Sequence, residues 1–207
     1  MRILVACEFS GRVREAFRKL GHDAWSCDLL PSGDGSPYHI QADVLAVLDQ
    51  GWDMMLAFPP CIYLTVSANG WYKDQPPRKS GALVGAERRA AREEAVDFFM
   101  RLYNCDIPKV GIENPIGVMS TRYRKPDQIV QPWMFGHPEK KATCLWLRGL
   151  PKLTPTNVVA LPDLLAGQSS RSLNRLDHLP QTADRWKLRS TTFEGIATAM
   201  SIQWSGL

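Results

Sequence analysis

Ile3-Leu-Val-Ala-Cys-Glu-Phe-Ser-Gly-Arg-Val-Arg-Glu-Ala-Phe-Arg-Lys-Leu-Gly-His-Asp-Ala-Trp-Ser-Cys-Asp28 reads as strand, turn, helix, turn and strand. Residues 3–7 are an unbroken apolar run, the pattern of a strand buried on both faces of a parallel sheet. Val13, Ala16, Phe17 and Leu20 recur at helical spacing, and Gly21 is placed to end that helix. Residues 22–27 form a second strand that runs into Asp28.

The alternation continues in both content and order. Asp43 to Asp49 reads as a short helix, and Trp52 to Ala57 as a buried strand ending at Phe58-Pro59-Pro60-Cys61. Residues 64–85 hold Gly70, Pro76, Pro77, Gly81 and Gly85 among polar residues and are expected to form a long mobile loop. Ala86 to Asn104 is a long helix, with Ala90, Ala95, Phe98, Phe99 and Leu102 expected on one side and arginines on the other. Lys109 to Ile112 is a strand that delivers Glu113 and Asn114 at its carboxyl end. Thr143 to Leu147 is another strand, and a helix near Phe193 to Gln203 closes the chain. Such alternation predicts the α/β class, a Rossmann-like doubly wound and mostly parallel sheet. The expected organisation is a single domain over 1–207, with 148–190 a short irregular insert that contacts nucleic acid. Ligands of such sheets sit beyond the carboxyl ends of the strands. Glu8 to Gly11, Asp28, Asp43, Pro60-Cys61 and Glu113-Asn114 all fall there.

Composition narrows the class without naming a function. The chain has 207 residues, 44% hydrophobic and 22% charged, enough to bury a core without disulfide or metal staples. Its 15 Gly and 15 Pro are ordinary, which excludes a fibrous or disordered protein. Five cysteines, Cys7, Cys27, Cys61, Cys105 and Cys144, are an odd number without CxxC pairs, so no zinc site or disulfide framework is expected. Reduced thiols in a cytoplasmic protein account for them. No apolar stretch is long enough to span a membrane, and Glu8 comes too early for a signal-peptide core. A net charge of +4 permits an anionic partner without demanding one.

Each motif has a functional and a plain reading. Glu8-Phe9-Ser10-Gly11 can hold a small ligand on exposed amides at a helix start, or Ser10 or Gly11 simply caps the helix. Asp28 lies near the spacing of about 20 residues expected for an acid gripping ribose hydroxyls. Asp43 can receive an adenine amino group, and together these suggest an adenosine-type pocket. Pro59 and Pro60 restrict the backbone and would hold Cys61 at the crevice, where a thiolate is a strong nucleophile. The plain reading of Cys61 is an inert buried thiol. Glu113, if buried, has a raised pKa and can donate a hydrogen bond as the neutral acid; otherwise it caps a turn. Arg122-Tyr123-Arg124-Lys125, Lys140-Lys141, and the spread of Arg171, Arg175, Arg185, Lys187 and Arg189 are basic. With Trp71, Tyr72, Trp133 and Trp186 they can grip phosphates and stack on bases, or be a solvated face.

Taken in order, these segments resemble the cytosine-5 DNA methyltransferase family, in a compact form like those of phages and prophages. Val5-Ala-Cys-Glu-Phe-Ser-Gly11 resembles its first motif, and Asp28 and Asp43 its two acidic positions. Ala57-Phe-Pro-Pro-Cys61 resembles its nucleophile motif, and Gly111-Ile-Glu-Asn-Pro115 its Glu-Asn motif. Glu139-Lys-Lys-Ala-Thr-Cys-Leu-Trp146 stands where the family has a basic strand, and Thr192-Phe-Glu-Gly-Ile-Ala-Thr-Ala-Met200 resembles its closing helix. Lys141 and Thr143 replace two arginines of that basic strand. Only residues 151–190 separate it from the closing helix, too few for a full target-recognition domain.

The resemblance implies S-adenosylmethionine as cofactor and DNA as partner, single-stranded or carrying a short recognition site. It implies catalysis by Cys61, Glu113 and Lys141. Cofactor contacts would come from Glu8, Phe9, Ser10, Gly11, Asp28, Asp43, Pro59 and Pro60. Substrate contacts would come from Asn114, Thr143, Arg122 and Arg124. No metal is implied, and a homodimer or a separate specificity partner stays open. The alternatives are a catalytically silent or differently reacting nucleic-acid-binding protein on the same fold. Methylation of an exocyclic amine is disfavoured, because Phe58 stands where that chemistry needs Asp, Asn or Ser.

Overall fold

The computed structural model describes residues 1–162, 179, 180, 182 and 185–206. These residues form a seven-stranded sheet in the order β3-β2-β1-β4-β5-β7-β6. The strands are β1 (Arg2–Ala6), β2 (Asp23–Asp28), β3 (His39–Gln41), β4 (Met54–Ala57), β5 (Lys109–Pro115), β6 (Gln128–Val130) and β7 (Thr143–Arg148). Neighbours pair in parallel except β7, which runs antiparallel to both β5 and β6. The helices are α1 (Arg12–Arg18), α2 (Gly85–Tyr103), α3 (Met119–Arg122), α4 (Arg185–Ser190) and α5 (Glu194–Trp204). The sheet is Rossmann-like, doubly wound and mostly parallel, as the strand–helix alternation predicts.

The apolar runs explain why the strands lie inside. Ile3 and Val5 face α1 and α5 in one core with Phe17, Leu56, Leu145 and Met200. Leu4 and Ala6 face the other side, with Phe99 and Leu102 of α2 and Trp146 of β7. A strand covered on both faces must be apolar at every position. The chain steps from β1 outward to β2 and β3, then returns to β4 on the other side of β1. This reversal puts the topological switch point between the ends of β1 and β4.

Several local expectations are corrected. Residues 43–49 form a single 3-10 turn, Val44–Ala46, in which Asp43 accepts from the Leu45 amide at 2.9 Å. So short a segment has no stretch over which an α-helix can repay its nucleation. On α2, Arg88 is buried and Ala90 exposed, the reverse of the expected sides. The cause is the segment after Cys61, which folds against α2 rather than hanging free. It carries a 3-10 helix, Val66–Tyr72. Arg88 donates to the carbonyls of Ile62 and Leu83, Arg89 to that of Tyr72, and Arg92 to that of Tyr63 at 2.9 Å. The Arg92 guanidinium also lies 3.4 Å from the Tyr72 ring centre. Among the described residues no helix is long and apolar enough to cross a membrane.

Candidate active site

The end of β1 makes the first half of the site. Cys7 leaves the strand at φ 57°, and Gly11 opens α1 at φ 72°. A Cβ on Gly11 would overlap the Arg14 guanidinium and the Asp34 carboxylate, so the turn requires glycine. Ser10 Oγ accepts from the Arg12 amide at 3.4 Å at the start of α1, and the closer acceptor there is Glu8. Its Oε1 takes hydrogen bonds from the Arg12 amide at 2.9 Å and from the Ser10 hydroxyl. The other oxygen, Oε2, is buried without a hydrogen-bond partner. Desolvation raises the Glu8 pKa, opposed by Ser10, the Arg12 amide and Arg14.

A loop beyond β2 is fastened over this turn. The Gly33 amide donates to the Phe9 carbonyl at 2.7 Å. Arg14, fully buried, pairs with Asp34 and Glu15 and donates to Ser26 Oγ at 2.7 Å. Ser26, having accepted from Arg14, donates to His39 Nδ1 at 2.8 Å, and His39 Nε2–H donates to the Leu30 carbonyl at 2.9 Å. Neither Arg14 nor Asp34 stood out in the sequence, because Arg14 is flanked by an apolar helix stripe and Asp34 sits in a patternless loop. Asp28 lies at the end of β2 and accepts from the Leu30 amide at 2.9 Å. Asp28 and Asp43 therefore flank the turn, each with one oxygen on a local amide.

The ends of β4 and β5 make the second half. Ala57 pairs with Ile112, so the residues that follow them emerge side by side. Pro59 is buried, Pro60 is exposed, and Cys61 is the exposed one of the five free cysteines. Asn114, buried, donates from Nδ2 to the Pro59 carbonyl at 3.0 Å and fixes the approach to Cys61. The Val118 amide donates to the Leu64 carbonyl at 2.8 Å, and a Cβ on Gly117 would strike that carbonyl. Gly117 is thus required where the two loops touch, a role that only its place after Glu113-Asn114-Pro115 could have suggested. Thr143 of β7 pairs opposite Pro115, and its hydroxyl hydrogen-bonds Glu113.

The electrostatics join these groups. Burial raises the Glu113 pKa, and Lys141 and Thr143 oppose that rise. Although Cys61 is solvent-exposed as a residue, desolvation around its sulfur raises its pKa first and the Glu113 charge second; Lys141 and Arg189 pull it down. Lys141 Nζ donates to the Arg189 carbonyl at 3.0 Å, so α4 lies across this half. At its other end α4 brings Trp186 to 5.6 Å from the Phe9 ring.

Two residues expected to touch substrate lie apart from this group. Arg122 pairs with Glu93 on α2. Arg124 donates to Asp127 at 2.7 Å, to Tyr103 at 2.9 Å and to the Leu147 carbonyl at 3.3 Å, and Asp127 first, then Tyr103 and Tyr123, raise its pKa. Leu147 stands opposite Gly111, two residues before Glu113 towards the amino end of β5, so Arg124 pins the sheet instead of facing the crevice. Arg171 and Arg175, with the rest of residues 163–178 of the 148–190 insert, lie outside the described residues. Among the described residues no group of three or more His, Cys, Asp or Glu side chains is arranged to hold a metal.

No protein-family profile matches the chain, and no curated protein matches it in sequence. Solved structures do match. The Entamoeba histolytica methyltransferase aligns at a TM-score of 0.50 and 13% identity, covering 76% of this chain and 57% of that one. A DNA modification methyltransferase encoded within an E. coli prophage aligns at 0.48 and 13%, covering 79% and 56%. The S. pombe Dnmt2 methyltransferase aligns at 0.45 and 16%, covering 73% and 50%. This chain therefore spans little more than half the length of the structures it resembles. At such identity the likeness concerns architecture alone, a mostly parallel seven-stranded sheet with flanking helices.

Proposed function

We propose that this protein methylates cytosine at carbon 5 in DNA, using S-adenosylmethionine and a covalent adduct to Cys61. The observation that carries this reading is that Cys61 and Glu113 follow the paired ends of β4 and β5, that Lys141 precedes the amino end of antiparallel β7 beside them, and that the charges of Glu113 and Lys141 bias the thiol in opposite directions. A single catalytic domain over 1–207 suits it, with 148–190 as the part that meets nucleic acid.

The residues at the end of β1 fit the cofactor. Glu8 Oε2 is a buried acceptor awaiting a donor, and the ammonium of the amino-acid end of S-adenosylmethionine is one. Asp28 suits the ribose hydroxyls, Asp43 the adenine amino group, and Phe9 the purine face. When bound, the cofactor supplies the electrophilic methyl group that carbon 5 accepts.

The protein's own task is to make carbon 5 nucleophilic. Cys61, as thiolate, adds to carbon 6 of an extruded cytosine, an extrusion costing a few kcal/mol and less in single strands. Glu113, whose desolvation favours the protonated form, donates its proton to ring nitrogen 3 and stabilises the charge that the addition pushes there. Lys141 favours the thiolate. Asn114 keeps the Pro59-Pro60-Cys61 backbone against β5 so that sulfur and carboxyl face one ring. Loss of the carbon 5 proton after transfer expels Cys61 and restores the ring.

Mass spectrometry of nucleosides from DNA co-expressed with the protein tests this. The reading expects 5-methylcytosine with the wild-type chain and none with Cys61→Ala. Its absence from both, or its persistence in the variant, defeats the reading.

A further inference from the structure

We propose that Trp186 belongs to the cofactor's purine site: α4 lays it over Phe9, and the purine is held between the first turn and α4. The inference rests on the cofactor reading above and reassigns a tryptophan that the sequence grouped with the nucleic-acid-stacking aromatics.

The ring geometry carries it. Phe9 and Trp186 lie 5.6 Å apart between centres and are inclined by 49°, a wedge rather than a closed stack. Gly33 runs close beside Phe9, where a Cβ would sit only 3.2 Å from the ring, and its amide holds the Phe9 carbonyl at 2.7 Å. A flat base meeting Phe9 on the side of Trp186 meets both rings. The indole is 46% exposed, so much of its surface remains uncovered by protein.

The helix lies at the surface. None of the six residues of α4 is buried in the core. It meets the site through the Trp186 ring and through the Lys141 hydrogen bond to the Arg189 carbonyl, at 3.0 Å. Closing α4 on a base gives aromatic contact on both faces. The same short helix carries the carbonyl that holds Lys141, so filling the purine site and seating Lys141 beside Cys61 are one movement.

Isothermal titration of S-adenosylhomocysteine into the full chain tests the assignment, with filter binding of a single-stranded oligonucleotide in parallel. Trp186→Ala is expected to weaken S-adenosylhomocysteine by about tenfold and Trp186→Phe by much less, since a smaller ring still stacks. Oligonucleotide affinity should stay within about twofold in both variants, because a purine-site ring makes none of the base contacts that stacking would supply. If the wild-type chain binds and Trp186→Ala binds equally well, this inference fails while the cofactor reading stands. If Trp186→Ala loses oligonucleotide instead, Trp186 stacks on nucleic acid and the inference is wrong. A wild-type chain that binds no S-adenosylhomocysteine overturns the cofactor reading and this inference together.

Discussion

Cys61 sits between opposing influences. Desolvation and the Glu113 carboxylate disfavour the thiolate, while Lys141 and Arg189 favour it. Replacing Glu113 by Gln removes a negative charge, so the thiol pKa must fall. Replacing Lys141 by Gln removes a positive one, so it must rise. Iodoacetamide alkylation of Cys61 against pH, with Cys61→Ala as the blank, measures both. Equal profiles for the three proteins would separate the thiol from its two neighbours. The Glu113→Gln protein should also lose about 10²–10⁴ in methylation rate if the acid donates its proton. Stability gives an independent sign. The Glu113 pKa is raised in the folded chain, so its contribution is complete below the unfolded carboxyl value and is lost as pH rises through the folded one. Glu113→Gln should therefore melt higher than wild type at alkaline pH and lose that advantage in acid.

At the scale of elements, the site depends on lacing between the tips of β4 and β5. Asn114 holds the Pro59 carbonyl, and Gly117 lets the next turn approach Leu64. Asn114→Ala leaves that buried carbonyl without its donor, a loss of about 1–3 kcal/mol. Gly117→Ala forces a methyl group onto the Leu64 carbonyl, costing about 1–3 kcal/mol and moving the Cys61 loop. Both should lower urea midpoints and methylation while leaving S-adenosylhomocysteine binding, which belongs to the β1 end, nearly intact. Unchanged turnover in Gly117→Ala would show that the lacing does not position Cys61. The elements that build this arrangement were unequally legible. β1, β4, β5 and β7 carry apolar runs because they are covered on both faces, and α2 and α5 are long enough to show periodicity. β3 and β6, three residues each, are too short to show a period. The antiparallel course of β7 leaves no mark in hydrophobicity. Arg88 was expected outside and Arg14 carried no signal, because their partners, the loop after Cys61 and Asp34, lack a pattern of their own.

The whole molecule is two half-sites joined at a topological switch. The ends of β1 and β2 present a turn, an unsatisfied buried carboxylate oxygen and flanking acids; the ends of β4 and β5 present a thiol and a buried acid. α4 touches both, through Trp186 and Arg189. Which residues end the strands could be read from the sequence, since Cys61 and Glu113 each follow an apolar run and precede or border proline. That the two ends would be adjacent, and that α4 would cross them, depends on chain topology and could not. The central claim is that Cys61 bonds to carbon 6 of cytosine. An oligonucleotide carrying 5-fluorocytosine tests it directly, because carbon 5 then has no proton to lose and the adduct cannot resolve. With S-adenosylmethionine present, denaturing mass analysis should find protein and oligonucleotide joined as one species in the wild-type chain and separate in Cys61→Ala. Separate species in the wild-type chain, or a joined species in the variant, would contradict the account.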